Sequence, residues 1–213
     1  MQPSGQRIKY FRNKLGWTQS QLAHRSGYSE RLIRRAEAGE PLSEQTAVDL
    51  AAALSTGERK VTVNDFSTDP KALAATFVQS YDLYGRELMP YCEHFLADDF
   101  QFNCFGDPAS PLTGQWLGKA GMQQWLDTFF GIFQRPIGFR LEPKYLGDGN
   151  SITARYLDMF TFQELVSPKI WVNLHFEFES GQLKILNDEY DTLAGQVFLE
   201  AVANRLGGAS PEH

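Results

Sequence analysis

The segment Trp17–Gly39, WTQSQLAHRSGYSERLIRRAEAG, predicts two short helices joined by a glycine turn. Thr18 and Gln21 form a capping box at the start of the first helix, because the hydroxyl and the amide each satisfy a free N–H at the helix end. Gly27 ends that helix, since glycine adopts the left-handed conformation of a helix C-terminus without strain. Ser29 is then the N-cap of the second helix, which ends at the glycine that closes the segment.

The second helix carries a basic outer face. Its three arginines, Arg31, Arg34 and Arg35, point outward when the apolar positions of both helices pack together. Those apolar positions are Leu22, Ala23, Ile33 and Ala36. The major groove of DNA accepts a short basic helix held on a compact support. The pattern therefore predicts a DNA-binding helix-turn-helix.

The same residues also fit more ordinary structures. A capped pair of helices with a glycine turn occurs in simple helical hairpins. Glu30 at a helix start suits the positive end of the helix dipole whether or not DNA is bound, and the arginines fit a solvated face. DNA binding is favoured because further helices before Trp17 and after Gly39 are in register around the turn.

Residues 6 to 54 resemble the phage-repressor helix-turn-helix family, of the Cro-like or xenobiotic-response-element type, in the order and spacing of their elements. A first helix with Arg12 precedes WTQSQLAHRSG and YSERLIRRAEAG, and PLSEQTAVDLAAAL follows as a fourth helix. The resemblance implies that Gln19 contacts a phosphate and that Arg12 forms a buried ion pair with Glu37. It also implies that Ser29, Glu30, Arg31 and Arg35 face base edges. The predicted DNA-binding residues are Thr18, Gln19, Ser29, Glu30, Arg31, Arg34 and Arg35.

Two acidic residues distinguish this segment from related sequences. Glu30 lies where the family meets DNA, and a carboxylate at that position accepts a hydrogen bond from cytosine N4. Glu40 stands in the loop after the recognition helix, where many relatives carry basic residues. Its negative charge predicts modest affinity for DNA.

Charge divides the chain into two parts. Residues 1 to 60 hold ten basic and six acidic side chains, whereas residues 61 to 213 hold ten basic and twenty acidic ones. A basic first part suits a polyanion, which repels the acidic second part. We expect a DNA-binding domain at residues 1–66 and a second domain at residues 70–206, held away from the duplex by a short linker. The tail from residue 207 onward is expected to be disordered.

Several classes of protein are disfavoured. No run reaches the ~18 apolar residues of a membrane helix, and the polar, basic start of the chain lacks an apolar signal-peptide region. Cys92 and Cys104 are the only cysteines, and they form neither a C-x-x-C pair nor a metal-ligand spacing with histidine. We therefore expect a cytoplasmic protein that contacts no membrane and has no metal site, cofactor or disulfide framework.

The second domain begins with an amphipathic helix, for which Asp69 is the N-cap and Pro70 the first residue. A short helix at residues 91–96, a strand in DDFQFNCFG and a helix at residues 121–133 follow. Four β-rich runs then precede a last helix at residues 192–206: GFRLEPKYLG, SITARYLDMFTFQEL, KIWVNLHFEFES and LKILNDEYD. This order predicts a multi-domain chain, in which an all-α domain precedes an α+β domain with a curved antiparallel sheet wrapped round helices.

Residues 70 to 192 resemble the SnoaL-like and ketosteroid-isomerase-like group of the nuclear transport factor 2-like (NTF2-like) superfamily. The match is sharpest in LADDFQFNCFG, which is followed by Gly118 and a helix. The resemblance implies a cone-shaped fold around a cavity. Activities in this group range from isomerases, polyketide cyclases and hydrolases to binding or dimerisation modules, so the fold by itself does not specify the activity.

Neither catalytic acid of the ketosteroid isomerases is present at its position in that pattern. The strand position of the proton-shuttling aspartate falls on Cys104, and that of the protonated second acid falls on Leu174. A thiol with an ordinary pKa of ~8.5 is a poor base at pH 7, and a leucine donates no proton. We therefore expect no catalytic residue.

Asp158 is the one charge on the apolar face of the run Ile152–Phe162. A buried carboxylate is costly unless it is paired, so Asp158 either meets a partner such as a tyrosine hydroxyl or an arginine, or lines a cavity and meets a ligand. The alternatives to a ligand-binding role are that Asp158 is an acid of the core with its hydrogen bonds satisfied, or that it lies on the opposite face of the sheet.

Four further residues are candidates for the same ligand site. Trp125 and Tyr156 fit an apolar core as well as a ligand-binding wall. Asp191 fits the N-cap of the last helix, although related proteins place a polar cavity residue near this strand end. The predicted ligand-binding residues are Cys104, Trp125, Tyr156, Asp158 and Asp191.

Three functions compete for this chain. It is a transcription regulator whose second domain senses a small apolar or aromatic ligand, a regulator whose second domain only dimerises, or a bifunctional protein that retains cyclase, isomerase or hydrolase activity. The absence of an acid at position 104 disfavours the third. The expected partners are a double-stranded DNA operator, a second copy of the chain and a small-molecule effector.

Overall fold

Four helices form the N-terminal domain within residues 2–207, the part of the chain that the computed structural model describes. They are α1 (Gly5–Lys14), α2 (Gln19–Ser26), α3 (Glu30–Glu37) and α4 (Glu44–Leu54). Thr18 and Gln21 form the predicted capping box of α2, and the Ser29 hydroxyl accepts a backbone N–H of α3 at 3.3 Å. Gly27, with a φ of 74°, ends α2 in the left-handed conformation.

The apolar positions that we assigned to packing form the core of this domain. Buried side chains from all four helices and from the turn that follows them meet there: Ile8, Leu22, Ala23, Ile33, Ala36, Leu50 and Phe66. Each fully buried leucine, isoleucine or phenylalanine contributes ~1.5–3 kcal/mol to folding. Because α2 and α3 pack together through this core, the polar face of α3 is left to solvent.

The connection between the domains is short and capped at both ends. A single 3₁₀ turn, Val63–Phe66, closes the first domain. Asp69 then accepts the Lys71 N–H at 3.2 Å, and the next helix begins at Pro70. Few residues therefore separate the two cores.

The second domain contains four more helices and two sheets. The helices are α5 (Pro70–Tyr84), α6 (Met89–Cys92), α7 (Gly118–Ile132) and α8 (Thr192–Gly207). The main sheet contains β1 (Leu96–Cys104), β2 (Gly114–Leu117), β3 (Lys144–Asp148), β4 (Ser151–Asp158), β7 (Ile170–Glu179) and β8 (Gln182–Tyr190), and a small hairpin pairs β5 (Thr161–Phe162) with β6 (Leu165–Val166).

The main sheet has the strand order β2-β1-β8-β7-β4-β3. Four of its strand pairs are antiparallel, as expected, but β1 and β8 run parallel. The sheet is therefore mixed, which corrects the expectation of a wholly antiparallel one. A tight hairpin forces antiparallel pairing, whereas the long connection from β1 to β8 passes through α7 and leaves the direction to tertiary packing.

Alternation along the strands gives the sheet an apolar inner face. In β4 the buried residues are Ile152, Ala154, Tyr156 and Asp158, and in β7 they are Ile170, Val172, Leu174, Phe176 and Phe178. The inner face packs against α5 and α7 to form one continuous core. The registration that put Asp158 on the inner face of the sheet is thereby confirmed.

The two domains are packed against each other at a surface that we call the domain joint. On the first domain it consists of Arg7, Tyr10, Phe11, Lys14, Arg59 and Asp65, and on the second of Tyr91, Glu93, His94, Phe95 and Gly181. The Glu93 carboxylate accepts from the Tyr10 hydroxyl at 2.5 Å and from Lys14 Nζ at 2.6 Å. The linker thus joins two domains that also touch through side chains.

No helix in residues 2–207 is long and apolar enough to cross a membrane. The tail was expected to be disordered from residue 207 onward. Gly207 is the last residue of α8, and residues 208–213 lie outside the described part of the chain.

Candidate DNA-binding surface and ligand cavity

The outer face of α3 presents its arginines to solvent. Arg31, Arg34 and Arg35 are all exposed, as are Ser29 and Glu30 at the start of the helix. The Arg35 guanidinium is held by the Glu40 carboxylate at 2.5 Å, in an ion pair that is about half exposed on both sides. Glu40 therefore engages Arg35, whereas Arg31 and Arg34 have no ion pair or hydrogen bond within the described residues.

Gln19 lies at the first position of α2, but its side chain is engaged inside the protein. Its amide nitrogen donates to Glu37 Oε2 at 2.8 Å. Glu37 also accepts from Arg12 at 2.5 and 3.1 Å, and the two partners of this ion pair are only 9% and 5% exposed. The buried Arg12–Glu37 pair implied by the family resemblance is present, and Gln19 extends it. Backbone N–H groups at the start of a helix such as α2 are donors of the kind that suits a phosphate.

The predicted DNA-binding residues are not part of the domain joint. Within the described residues, none of the seven predicted DNA-binding residues has a hydrogen bond or an ion pair with the second domain. The joint is built from α1 and from residues 59–66 instead. Docking of the two domains therefore leaves the recognition helix open.

A cavity of about 90 Å³ lies between the inner face of the sheet, α5, α7 and α8. Most of its wall is apolar or aromatic, and includes Phe77, Phe102, Phe129, Phe133 and Phe160. Four of the five predicted ligand-binding residues line it: Cys104, Trp125, Tyr156 and Asp158. Such a wall suits a mostly apolar ligand that a few polar groups orient.

The carboxylate of Asp158 is fully buried and paired with Arg135. The guanidinium donates to both carboxylate oxygens, at 3.2 and 3.0 Å, and its carbon lies 4.7 Å from the centre of the Tyr81 ring. Burial raises the pKa of Asp158, and the adjacent Arg135 opposes that rise. Asp158 thus has an arginine partner, which is one of the possibilities left open for it, and it also lines the cavity. Arg135 was not predicted as a partner, because it lies in an irregular segment without periodicity.

Asp188 is a second carboxyl group in the cavity, and the sequence analysis missed it. Its Oδ2 lies 4.0 Å from the Cys104 sulfur, and its buried Oδ1 has no hydrogen-bond partner. Burial, helped by the charges of Asp158 and Glu189, raises the pKa of Asp188 to about 7. The signal was available in β8, where Leu186 and Asp188 alternate with exposed or half-buried residues in the way that singled out Asp158.

Asp191 lies outside the cavity, contrary to its assignment as a ligand-binding residue. It is exposed, and its carboxylate accepts the Ala194 N–H at 3.0 Å at the start of α8. Capping of the last helix, the other interpretation of Asp191, is its role in this structure.

Burial raises the pKa of Cys104, so that the thiol is protonated near neutral pH. A protonated thiol is a weak nucleophile.

A larger groove of about 680 Å³ lies outside the cavity, between α8 and residues 106–112. The two hollows share wall residues, among them Phe133, Tyr190 and Leu199. The groove therefore adjoins the cavity, with α8 forming one of its sides, and we call it the entrance groove.

Comparison with known proteins agrees with this description of the two domains. Residues 8–60 match the helix-turn-helix family model. The structure of TerC co-crystallised with polyporic acid is similar to the second domain, with a TM-score of 0.51, 18% identity, and coverage of 60% of this chain and 98% of that one. At this identity the similarity shows the fold alone. No curated protein matches the chain.

Two further solved structures are similar to part of this chain. An NTF2-like protein from Burkholderia xenovorans LB400 is 14% identical, with a TM-score of 0.48 and coverage of 57% of this chain and 88% of that one. An epoxide hydrolase of the LEH-like type from M. tuberculosis is 15% identical, with a TM-score of 0.45 and coverage of 67% and 98%.

Proposed function

We propose that this chain, a helix-turn-helix domain fused to an NTF2-like domain, is a transcription regulator that binds operator DNA and responds to a small ligand. The observation that carries the first half is the exposed basic face of α3, supported by a capped α2 and left open by the domain joint. Arg31 and Arg34 are free to reach base edges in the major groove. We place this activity in the cytoplasm, where a bacterial-type operator is found.

The proposal includes a homodimer. A helix-turn-helix of this size reads a short half-site, and two-fold symmetric proteins bind two such half-sites about one helical turn apart. A second domain of about 140 residues is large enough to supply the interface between two copies. Size-exclusion chromatography with light scattering measures this directly.

The second half of the proposal rests on the cavity. Its wall is mostly apolar or aromatic, and Asp188 offers an unpaired carboxyl oxygen inside it. Ligand pockets combine these features: a largely apolar surface and a small number of polar groups. We propose a binding site without turnover, because Cys104 and Leu174 stand where ketosteroid isomerases carry acids.

One observation favours a second candidate function. Asp188 has a pKa of about 7, which is the range in which a carboxyl group works as a general acid or base. A bifunctional regulator with an acid–base activity in its second domain is therefore the alternative. Mass spectrometry of each bound compound after incubation separates the two, since conversion to a product favours the enzyme.

The domain joint supplies a physical route between the two sites. Glu93 holds Tyr10 and Lys14 of α1, and α1 packs against the recognition helix α3. Glu93 lies in a turn that leads directly into β1, and β1 carries Cys104 in the cavity wall. A ligand that shifts β1 relative to α1 is therefore coupled to the position of α3, and coupling of this kind acts in both directions.

Selection of binding sites from random duplexes tests the proposal. The full chain is expected to enrich a two-fold symmetric sequence, and the Arg31→Ala, Arg34→Ala double variant to lose that enrichment. Enrichment by the double variant equal to that of the wild type contradicts the assignment of α3. A compound that raises the melting temperature of the chain is then expected to change its operator affinity.

A further inference from the structure

We propose that the cavity and its entrance groove select organic cations, and that Asp188 is the group that receives the ammonium of an aromatic amine. This inference rests on the proposed ligand-binding function of the second domain and names the chemical class of the ligand. Three observations carry it: the charge of the walls, the free oxygen of Asp188 and the aromatic surface beside it.

The walls of the two hollows are acidic. In the described part of the chain, the residues that line them include no lysine, arginine or histidine. The acids are Asp158 and Asp188 in the cavity and Asp107 and Glu200 in the groove. A ligand carboxylate entering this path meets like charge and finds no cation in the walls to pair with.

The guanidinium of Arg135 is paired with Asp158 of the cavity wall, so its charge is already neutralised. It spans both oxygens of Asp158, and it also approaches Asp82 Oδ1 at 3.5 Å. These contacts neutralise Asp158 and leave Asp188 as the carboxyl group of the cavity that lacks a cationic partner. An ammonium donor placed against Asp188 satisfies the free Oδ1 and removes the cost of a buried, unpaired acceptor.

Aromatic faces complete the site. The rings of Trp125 and Phe129 are stacked at 4.9 Å, and the edge-to-face contact between Phe102 and Trp125 measures 5.0 Å. The indole N–H of Trp125 donates to the Leu112 carbonyl at 3.2 Å, which fixes the ring in the wall. Ring faces attract cations through their quadrupole, most strongly where water is excluded. The same faces pack on the ring of an arylalkylamine.

The volumes of the cavity and the groove limit the shape of the ligand. The inner cavity, about 90 Å³, is smaller than the ~150 Å³ apolar cavities that bind benzene, so the ammonium end of the ligand enters it against Asp188 and the ring lies towards the groove. The groove offers about 680 Å³ beyond Tyr190 for any longer chain. A single ring with a short amine-bearing chain therefore fits better than a fused polycycle.

Three matched probes test the inference on the full chain: 2-phenylethylamine, 2-phenylethanol and phenylacetate. They share the ring and differ in charge. Calorimetric titration at pH 8 is expected to show the amine binding at least tenfold more tightly than the alcohol, with no binding of the carboxylate. The amine stays protonated between pH 6 and pH 8, whereas Asp188 ionises near pH 7, so amine affinity should rise about tenfold over this interval.

Two variants test whether Asp188 causes the preference for the amine. Asp188→Asn keeps the shape of the side chain and removes its charge, so it should abolish both the preference for the amine and the pH dependence. Glu179→Gln is the control, because Glu179 is an exposed carboxylate at the end of the neighbouring strand β7 and lines neither the cavity nor the groove. Its binding should equal that of the wild type. Circular dichroism melts establish that both variants are folded.

Several results would overturn the inference. The inference is wrong if the alcohol or the carboxylate binds as tightly as the amine or more tightly, or if amine affinity falls as the pH rises. Either result identifies a neutral or anionic ligand class and still supports ligand binding by the second domain. Retention of amine preference by Asp188→Asn removes Asp188 from the site. Absence of binding by all three probes contradicts the inference, whereas DNA binding is decided separately by the operator selection.

Discussion

The imidazole Nε2 of His94 lies 3.5 Å from Asp65 Oδ1, across the boundary between the two domains. The side chain of His94 is fully buried, and neither of its ring nitrogens has a hydrogen bond. The ring packs against Phe11 of the first domain at 4.9 Å and against Phe95 at 5.0 Å. A neutral histidine is thus held in the centre of the domain joint by ring contacts.

The domain joint is expected to weaken in mild acid. Burial, together with the positive charges of Arg59, Arg7, Lys14 and Lys119, lowers the pKa of His94, and Asp65 is the nearby carboxylate. Below pH ~6.5 an unfolded or opened chain takes up a proton that the closed joint does not. The stability that neutral, buried His94 contributes to the closed joint is therefore fully present above pH ~6.5 and is lost as the pH falls.

Urea unfolding at several pH values between 5 and 8 measures this effect. His94→Phe keeps a ring in the joint and removes the proton site, so its stability should depend less on pH in this range. His175→Phe is the control, because His175 is half-exposed on the outer face of the sheet. A pH slope in His94→Phe identical to that of the wild type would show that other groups cause it.

Removing one partner of the Arg12–Glu37 pair should destabilise the first domain strongly. The pair is nearly fully buried, and Glu37 also holds Gln19, so Glu37→Gln leaves the Arg12 guanidinium without its counter-charge. The expected loss is ~3–5 kcal/mol. A double-mutant cycle with Arg12→Met, read from denaturant unfolding of the full chain, isolates the coupling. Coupling below ~0.5 kcal/mol would mean that the pair behaves as a surface contact.

Arg31 is expected to contribute directly to operator recognition. Its side chain is exposed on α3, and no ion pair or hydrogen bond restrains it within the described residues. Arg31→Ala should weaken binding to the selected operator by ~1–3 kcal/mol and relax the preference at one base pair. Arg140→Ala, an exposed arginine of the second domain, should leave fluorescence-anisotropy titrations unchanged. Equal losses for both variants would point to a non-specific charge effect.

Neutralising Glu40 should strengthen DNA binding. Glu40 holds Arg35 at 2.5 Å and places a negative charge beside the recognition helix. Glu40→Gln frees Arg35 for phosphate or base contacts and removes repulsion from the duplex. Affinity should increase and depend more steeply on salt concentration, because one more phosphate is neutralised. Unchanged affinity at low salt would show that Arg35 does not reach the DNA.

Without ligand, Asp188→Asn is expected to raise the melting temperature near pH 8. Because the pKa of Asp188 is raised to about 7, the folded chain keeps a proton that the unfolded chain loses above pH ~3.9. Stability is therefore lost progressively as the pH rises from about 4 towards 7, and the loss stays constant above that. The variant lacks this titration. The melting temperatures of the wild type and of Asp188→Asn, measured from pH 4 to pH 8.5, should converge at the acidic end. Parallel curves would contradict the raised pKa of Asp188.

Local signals in the sequence predicted much of the first domain. Thr18, Gln21, Gly27 and Ser29 act within one helical turn of their own positions, so helix boundaries follow from residue type. Asp158 was found in the same way, through alternation along a strand. Arg135 was missed because its pairing with Asp158 joins an irregular segment to a strand, and no short-range pattern reports such a contact.

The sequence by itself determined the helix caps, the recognition helix, the change in charge between the domains and the inward position of Asp158, because each depends on neighbours along the chain. Only the tertiary structure decided the parallel pairing of β1 with β8, the unpaired oxygen of Asp188 in the cavity and the burial of His94 between the domains. These features bring together residues far apart in sequence. Their pairing and desolvation depend on packing, which determines both the cost of a buried polar atom and the partner that relieves it.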